Sequence, residues 1–373
     1  MKKRLLVFHP AVAPYRIDLF NELNDEFDSN FYFFRKGLLS QKFDEKSLES
    51  QLNFKPRFLT SGFDFSSRKR MIRFGYLQKI IRHKPNIIIC CEFGLITFIT
   101  TLFTRIFFQK TKVYTICDDS LDIAKNSPIY RRIGRSLCFL FLDGIILGND
   151  FAEKWYNEKF PKMRTVISPI IQKESRILSF ANECEAIAKN YLKDFKLEKN
   201  ILLFVGRFVS VKNLDFLIEV FSDYVKKNKN VVLVLVGEGK RKSELQALVE
   251  RLELKDDVIF PGRFENEALY AWYRVADYFI LPSTSEAFGA VVNESLVVGL
   301  PVLCSNLAGA SCLINERNGR TFNPYRKEEL LTVFDEVLGT SRKLKDDISI
   351  NNSLMPYTFM ERIKDLKAFL NCE

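Results

Sequence analysis

The amino-acid sequence predicts an α/β protein of two domains, each with a parallel β-sheet covered by helices. Short, nearly continuous apolar runs alternate with amphipathic helical patterns, which is typical of such sheets. The alternation pauses near residues 166–169 and restarts at residue 201. A length of 373 residues is long for one hydrophobic core and suits two. We therefore predict domains at 1–169 and 170–354, followed by a terminal helix within 355–373.

Six apolar runs of the first half predict strands, at 5–9, 31–34, 57–60, 87–91, 113–117 and 145–147. Ligands of a parallel sheet bind beyond the carboxyl ends of its strands. The polar residues that follow three of these strands are therefore candidates for a binding edge. They are His9, Tyr15, Arg16, Glu92, Asp118 and Asp119.

The second half repeats the pattern after a hinge at 166–169 and one helical stretch at about 173–195. Its strands are expected within NILLFVGRF, VVLVLVGEG, DVIFPGRF, DYFILPS and PVLCS, all separated by helical patterns. The second domain is thus also predicted to hold a parallel sheet.

Composition restricts the kind of protein and the kind of partner. A hydrophobic content of 47% with 27% charged residues is typical of a soluble globular chain. The net charge of +10 favours an acidic partner, namely nucleotide phosphates or anionic lipid. No nucleic-acid-binding motif is present, so we expect no nucleic acid partner. Eight cysteines without a CxxC pair indicate a reducing, cytoplasmic location.

Neither terminal nor internal apolar runs predict a signal peptide or a membrane span. The run at the N-terminus is cut short by His9 and Pro10, and the stretch 95–108 contains threonines and Arg105. Two basic segments raise the hypothesis of contact with an anionic membrane surface instead: Arg68–Lys84, which is expected to be one helical segment, and Arg131–Arg135. The alternative for both segments is a solvated charged face over an ordinary core.

The stretch YFILPSTSEAFGAVVNESLVVGLP at 278–301 predicts a buried strand, a loop and a helix from Ala290 to Val298. The loop carries Glu286 and the helix carries Glu294. Backbone NH groups at the helix start, including those of Phe288, Gly289 and Ala290, form a positive end that can hold a phosphate. Alone, this pattern is equally compatible with a surface loop and a solvated helix.

Other predicted strand ends of the second half supply glycine and basic side chains. Gly206-Arg207 follows the strand at residue 201, Lys212 comes soon after, and Gly262-Arg263 ends a later strand. A guanidinium and an ammonium group in this arrangement can hold a nucleoside diphosphate, although an ordinary basic turn would look the same.

Taken in order, GRFVSVKN, VGEG, FPGRF, SEAFGAVVNESLVVGLPVLCS and AGASCLINERNGRTFNP resemble the donor half of the retaining family-four glycosyltransferases, whose fold is GT-B. The resemblance extends from Ile201 to Pro324 and is looser over 1–169, where HPAVAPYRIDLFNEL is similar to the acceptor-side loop of bacterial polysaccharide members. It implies an acceptor domain and a donor domain facing a cleft, with the terminal helix packing on the first domain.

The resemblance also implies roles for individual residues. Arg207 and Lys212 match the pair that neutralises the donor diphosphate, after Gly206. Glu294 matches the glutamate that binds the ribose, and Glu286 the one beside the donor sugar. The remaining matches are backbone contacts of Phe288, Gly289 and Ala290 to sugar and phosphate, nucleobase contacts at Gly262 and Arg263, and acceptor-side positions His9, Tyr15 and Arg16.

The sequence departs from the family in its N-terminal half. Many members have a histidine after a strand facing the donor sugar, whereas this chain has Cys117-Asp118-Asp119 there. Asp118 or Asp119 is therefore the expected substitute that orients or deprotonates the acceptor hydroxyl, with a helix-cap role as the alternative. Cys312 also replaces a glutamate common in the family.

The expected function is retaining transfer of a hexose from a UDP- or GDP-sugar to a hydroxyl of a growing, lipid-linked cell-surface glycan. We expect no cofactor and no essential metal, because no Asp-x-Asp follows a predicted strand as a metal clamp. The expected location is cytoplasmic, with peripheral contact at the inner face of the membrane. Alternatives are an epimerase or hydrolase of sugar nucleotides on the same fold, or a nucleotide-sugar-binding protein without catalysis.

Overall fold

A computed structural model describes residues 1–35, 45–59, 61–65, 70–338 and 352–372, and the chain divides into two compact α/β units. Unit 1 consists of Met1–Gln172 and Phe359–Glu373, whereas unit 2 consists of Lys173–Thr358. These boundaries lie a few residues beyond the 169/170 and 354/355 boundaries expected from sequence.

Unit 1 contains strands β1 (Arg4–His9), β2 (Asp28–Phe33), β3 (Arg57–Phe58), β4 (Gly62–Phe65), β5 (Arg70–Arg73), β6 (Ile87–Cys91), β7 (Lys112–Cys117), β8 (Gly144–Leu147) and β9 (Thr165–Ile167). Within the described residues, seven of them form a parallel sheet in the order β3-β2-β1-β6-β7-β8-β9. The order reverses between β1 and β6, and crevices for ligands form at such reversals.

The helices of unit 1 cover this sheet and leave its central strands almost fully buried. They are α1 (Ile17–Glu26), α2 (Glu45–Ser50), α3 (Tyr76–His83), α4 (Leu95–Phe107), α5 (Leu121–Lys125), α6 (Ile129–Phe139) and α7 (Asp150–Lys159).

Unit 2 repeats the architecture with strands β10 (Asn200–Val205), β11 (Val231–Val236), β12 (Val258–Gly262), β13 (Tyr278–Leu281), β14 (Val302–Ser305) and β15 (Gly319–Phe322). Across the described part of this unit they form a six-stranded parallel sheet in the order β12-β11-β10-β13-β14-β15. Its helices are α8 (Glu174–Glu183), α9 (Glu185–Asp194), α10 (Leu214–Val225), α11 (Lys242–Arg251), α12 (Asn266–Val275), α13 (Ala290–Val297) and α14 (Lys327–Leu338). The predicted fold class of two parallel-sheet domains is confirmed.

The last helix, α15 (Phe359–Asn371), belongs to unit 1. Its apolar face is buried, and the Phe369 ring centroid lies 5.2 Å from that of Tyr114 in β7. Lys367 Nζ lies 2.9 Å from Glu22 Oε2 of α1, so a charged pair ties the two helices together. The chain therefore returns to its first unit after completing the second.

The structure refines the sequence expectation at three places. Residues 166–169 are not a simple hinge, because Thr165–Ile167 pairs with β8 as the edge strand β9. The stretch 173–195 is two helices, since the chain bends at Cys184, with ψ of 3°, between α8 and α9. Both helices pack on α12, which requires the bend.

The basic segment Arg68–Lys84 is also not one helix. Residues Arg70–Arg73 form β5 and pair antiparallel with β4, and Gly75, with φ of 82°, turns the chain into α3. Hydrogen bonding between the two strands satisfies backbone groups that a helix would have paired within itself. Arg68 and Lys69 lie outside the described residues.

The second basic segment is only partly solvated. Arg135 is buried, where its guanidinium donates to Tyr156 Oη and to Ala124 O, both at 3.2 Å. Arg131 binds carboxylates of unit 1, so Arg132 is the one exposed guanidinium of the three. Across the described ranges, no helix has the length and apolarity needed to cross a bilayer.

Candidate active site

Several glycines lie at the carboxyl edge of the unit 2 sheet. Gly206 follows β10 and donates to Val236 O at 3.0 Å, while Gly237 follows β11 and donates to Gly262 O at 2.8 Å. Gly237 has φ of 147°, and a Cβ there would lie 1.9 Å from the oxygen of Gly206. Glycine is therefore required for the two strand ends to meet, and the contacts bring Gly206 and Gly262 to the same edge.

Lys212 and Glu286 meet at this edge although they are far apart in sequence. Lys212 ends a 3-10 turn after β10, Glu286 lies in the loop after β13, and Thr284 N donates to Val211 O at 2.9 Å to join the two segments. The ammonium and carboxylate groups form an ion pair, with side chains 12% and 21% exposed. The pair is thus largely shielded from solvent, while one side remains accessible.

The loop that carries Glu286 is held from its other side by the 3-10 helix Gly309–Leu313. Gly309 N donates to Glu286 O at 3.1 Å, and Ala310 N donates to Phe288 O at 2.8 Å. A Cβ at Gly309 would lie 2.1 Å from Ala287 O, so glycine is again needed for the approach. Phe288 is buried beneath the loop, which fixes the backbone before α13.

Gly289 turns the loop into α13 with φ of 103°. A side chain there would be strained and its Cβ would meet Leu281 Cδ2 at 2.8 Å. The NH groups of Ala290 and Val291, in the first turn of the helix, have no carbonyl partner within the helix and carry the positive end of its dipole. A Cβ at Gly289 would also lie 3.4 Å from Glu286 Cγ, so the side chain of Glu286 lies beside this helix start, where the donors favour an anion.

Glu294 is held in place by a residue that the sequence interpretation missed. Tyr273 of α12 is buried and donates its hydroxyl to Glu294 Oε2 at 2.9 Å. Burial, followed by the charge of Glu294, raises the pKa of Tyr273 well above its usual value. The hydroxyl is therefore a permanent donor that orients one oxygen of Glu294.

The two predicted arginines of unit 2 are accessible. Arg207 is exposed directly after Gly206, in the segment that leads to Lys212. Arg263 follows Gly262, has a side chain 43% exposed and pairs with Glu265. Cys312 is half-buried in the 3-10 helix beside the loop of Glu286.

The carboxyl edge of the unit 1 sheet holds the remaining predicted residues. His9 ends β1, is buried and lies with Nδ1 2.8 Å from Ala11 O. Burial, with a smaller effect of Arg16, lowers the pKa of His9 to about 4, so its ring is neutral at physiological pH. Arg16 is only 1% exposed and its guanidinium pairs with Asp118 after β7. The interior position of His9 and Arg16 fits a supporting role more than direct ligand contact, whereas Tyr15 is half-buried.

Asp119 lies next to Asp118 but faces the interior. Its side chain is 4% exposed, Arg131 Nη2 lies 2.6 Å from its Oδ1, and Asn149 donates to its backbone carbonyl at 2.9 Å. Burial raises the pKa of Asp119. Arg131 also contacts Glu92 Oε2 at 2.5 Å, so one guanidinium joins the ends of β6 and β7.

Glu92, Cys117 and Asp119 place donor atoms within 4.8 Å of one another, a spacing that could hold a cation. The Arg131 guanidinium already bridges the two carboxylates, and burial raises the pKa of the Cys117 thiol, which disfavours the thiolate that metals bind. The positive charge that balances the carboxylates of Glu92 and Asp119 is therefore that of the Arg131 guanidinium.

Sequence signals for these contacts were weak. Glu92 follows a predicted strand, but Arg131 lies far away in a helix whose basic residues looked like a solvated face. Tyr273 belongs to the pattern YAWYRV, in which the apolar period indicates core packing and gives no sign of a hydrogen bond to Glu294. The partners of Glu92, Arg131 and Tyr273 depend on which strands and helices become neighbours in the fold.

Comparison with known proteins agrees with this geometry. Residues 191–353 match the family described as glycosyl transferases group 1. Over its whole length the chain is similar to the solved structure of Anabaena HepE in complex with UDP and glucose, with a TM-score of 0.71, 16% identity, and coverage of 99% of each chain. This is the GT-B fold.

Curated relatives are similar over shorter stretches. An uncharacterized glycosyltransferase of Haemophilus influenzae is 29% identical over 56% of this chain and 55% of its own length. The 4-alpha-N-acetylgalactosaminyltransferase of Campylobacter jejuni that acts on N-acetylgalactosamine-N,N'-diacetylbacillosaminyl-diphospho-undecaprenol is 34% identical over 38% of this chain and 36% of its own. The chain therefore spans about half the length of the first relative and about a third of the second. Together with the domain match, these similarities support an enzyme of the transferase class.

Proposed function

We propose that the protein is a retaining glycosyltransferase that moves a hexose from a UDP- or GDP-sugar to a hydroxyl of a growing, lipid-linked cell-surface glycan. The observation that carries this proposal is the meeting of Lys212 and Glu286 beside the N-terminus of α13, at the carboxyl edge of the unit 2 sheet. The domain match supports sugar transfer, and the undecaprenol-linked substrate named for the Campylobacter relative supports the acceptor class.

The donor diphosphate is assigned to Arg207, Lys212 and the first NH groups of α13. When the bond between the anomeric carbon and the phosphate oxygen breaks, its electron pair stays on the phosphate, where negative charge grows. An arginine, a lysine and a helix N-terminus supply fixed positive charge at that point. Lys212 would then exchange part of its interaction with Glu286 for the diphosphate.

The two glutamates are assigned to the sugar and the ribose. Glu286 accepts hydrogen bonds from hydroxyls of the donor sugar, and Glu294, with one oxygen held by Tyr273, accepts them from the ribose. Backbone groups of Phe288, Gly289 and Ala290 contact sugar and phosphate. The nucleobase is assigned to Gly262 and Arg263, because both lie at the same strand edge.

No cofactor and no essential metal enter this proposal, since the cationic groups of unit 2 can compensate the leaving-group charge. Transfer is therefore expected to persist in excess EDTA. A loss restored by adding Mg²⁺ or Mn²⁺ would contradict this part of the proposal.

Unit 1 is assigned to the acceptor, with Tyr15 at its surface and with His9 and Arg16 supporting the strand ends. We place the protein in the cytoplasm, in peripheral contact with the inner face of the membrane. This contact is supported by an exposed apolar face of α6, which consists of Ile129, Tyr130, Ile133 and Leu137. The exposed Lys125 and Arg132 beside it and a net charge of +10 favour anionic lipid as its partner.

The test begins with the donor. Thermal shift with UDP, GDP and their sugars should raise the melting temperature for one nucleotide class, because ligand that binds the folded state stabilises it. Transfer is then measured with that donor and a pool of undecaprenol-linked glycans. Retention follows from the anomeric configuration of the product.

Glu286→Gln should reduce transfer by about 100-fold or more while leaving the melting temperature close to that of the wild type. Glu198→Gln, an exposed carboxylate of the same unit, is the matched control. Full transfer by the Glu286 variant would refute the assigned role. Donor turnover without acceptor would instead favour an epimerase or hydrolase, and tight donor binding without turnover would favour a binding protein.

A further inference from the structure

Glu92 has an unusual backbone for a residue with a side chain. Its φ of 61° lies in the left-handed region, which glycine and asparagine favour. Its NH donates to Ile116 O at 2.8 Å, and its carbonyl accepts hydrogen bonds from Thr97 Oγ1 at 2.8 Å and Thr115 Oγ1 at 2.9 Å. Three hydrogen bonds thus hold a glutamate in a backbone conformation that would be less strained for a glycine. Such an outlier motivates a search for what the side chain does.

Glu92 is the most accessible of the three carboxylates at this edge. Its side chain is 36% exposed, against 22% for Asp118 and 4% for Asp119. Asp118 is paired with the buried Arg16, and Asp119 points inward to Arg131. Glu92 follows β6, which lies between β1 and β7 at the point where the strand order reverses.

Arg131 holds the Glu92 carboxylate without covering it. Its Nη2 lies 2.5 Å from Oε2, and Oε1 lies 3.4 Å from Asp118 N, which is long for a hydrogen bond. One oxygen of Glu92 is therefore fixed, and the other retains capacity to accept a proton donor from a ligand.

We propose that Glu92 is the unit 1 carboxylate that accepts a hydrogen bond from the attacking hydroxyl of the acceptor, with Arg131 as its positioning residue. This inference rests on the proposed transferase function and replaces Asp118 and Asp119 in that role. A carboxylate that binds a hydroxyl of a bulky glycan must be accessible to the glycan and held in one orientation. Glu92 meets both conditions.

The step balances without a further reactant. The acceptor oxygen bonds to the anomeric carbon, and the bond from that carbon to the donor phosphate breaks with its electron pair on the phosphate oxygen. The hydroxyl proton passes to that departing oxygen. Glu92 orients the hydroxyl and ends the step in the charge state in which it began.

The electrostatic surroundings of Glu92 agree with such a role. Burial and the charge of Asp119 raise the pKa of Glu92 to about 7, while Arg131 opposes the rise and Asp118 adds to it. Because the unprotonated form is the one that accepts the hydroxyl proton in a hydrogen bond, acceptor use should fall as pH drops below about 7. The titratable and charged groups that face Glu92 are thus Asp118, Asp119, Arg131 and the thiols of Cys91 and Cys117.

The experiment compares Glu92→Gln with Glu158→Gln, an exposed glutamate of α7 in the same unit. At saturating donor, Glu92→Gln should lower kcat/KM for the acceptor by about 10- to 100-fold, the effect of one lost hydrogen bond to a charged group. The donor KM and the melting temperature should stay near those of the wild type. Glu92→Asp, which keeps the charge but retracts it, should show a smaller loss.

The pH dependence of acceptor kcat/KM distinguishes a positioning role of Arg131 from a purely structural one. Arg131→Met should move the acid limb of acceptor kcat/KM to higher pH, because Arg131 lowers the pKa of Glu92. Glu92→Gln should flatten that limb.

Unchanged acceptor kcat/KM in Glu92→Gln, or an unshifted acid limb in Arg131→Met, would overturn the inference while leaving the transferase function in place. A loss found in the donor KM instead would also overturn it. A wild-type protein without any transfer would remove the proposed function and this inference together.

Discussion

The Tyr273 hydroxyl gives Glu294 a fixed orientation. Its donor bond of 2.9 Å restricts a glutamate that would otherwise sample several rotamers on α13. Because a preorganised acceptor loses less conformational freedom on binding, a tyrosine outside direct ligand reach can still contribute to donor affinity.

Tyr273→Phe is expected to raise the donor KM by about tenfold or more, with kcat little changed, because one hydrogen bond to a charged group contributes about 1.5 to 3 kcal/mol. Steady-state kinetics with the preferred nucleotide sugar measures the effect. Tyr325→Phe, an exposed tyrosine of the same unit, serves as the control. An unaltered donor KM would show that Glu294 needs no such partner.

His9 connects protonation to the stability of unit 1. Its pKa is about 4 in the folded state against 6.5 ordinarily, so the unfolded chain binds a proton between these values and the folded chain does not. Stability should therefore be complete above about pH 6.5 and decrease as pH falls towards 4, by up to about 3 kcal/mol.

Urea unfolding of the wild type and His9→Gln between pH 4 and 7.5 tests this expectation. The amide of glutamine can still donate to Ala11 O but does not titrate. The variant should show a shallower loss of stability with falling pH. Equal slopes in the two proteins would exclude His9 as the source.

At the scale of elements, the loop between β13 and α13 is defined by contacts on both sides. The 3-10 turn at Ser210–Lys212 and the 3-10 helix at Gly309–Leu313 both bond to its backbone, and Gly289 allows the sharp entry into α13. The helix ends in a Schellman arrangement, in which Leu300 N donates to Ser295 O and Gly299 N to Leu296 O. Both ends of α13 thus depend on glycine.

Gly289→Ala should destabilise unit 2 by about 1 to 3 kcal/mol and weaken nucleotide binding, since alanine is strained at φ of 103° and its Cβ would meet Leu281. Gly94→Ala is the control, because Gly94 precedes α4 at φ of −86° and a Cβ there meets nothing within 4 Å. Thermal unfolding and nucleotide titration measure both effects. Equal stability of the two variants would contradict the assigned role of the glycine.

At the scale of the whole molecule, charge and apolar exposure act together. A net charge of +10 attracts the chain to anionic surfaces, and the apolar face of α6 offers large side chains that the described part of unit 1 leaves uncovered. Electrostatic attraction would concentrate the protein at the surface, and burial of apolar area would retain it.

The double variant Ile133→Ser/Leu137→Ser should lower binding to anionic vesicles by about tenfold, because two aliphatic side chains lose their burial. Sedimentation with phosphatidylglycerol-containing vesicles measures this, and added salt should weaken the binding of the wild type. Met360→Ser, which alters an exposed apolar residue of α15, is the control. Equal binding of the wild type to neutral and anionic vesicles would end the membrane hypothesis.

Much of the architecture follows from local patterns in the chain. Apolar runs predicted most strands of both sheets, because buried parallel strands must be apolar on both faces. Gly299 predicted the C-terminal limit of α13, since few other residues adopt the required backbone angles. The edge strands at Thr165–Ile167 and Gly319–Phe322 and the β4–β5 pair were missed because short edge elements have little periodicity to detect.

Local sequence patterns specify the two-sheet α/β fold, the glycine and carboxylate pattern around α13, and the basic residues that follow β10. The pairs of interacting side chains emerge only in the folded chain: Lys212 with Glu286, Tyr273 with Glu294, and Arg131 with both Glu92 and Asp119. This difference arises because local periodicity encodes which residues are buried. Partners separated by tens of residues, in contrast, are set by strand order and helix packing.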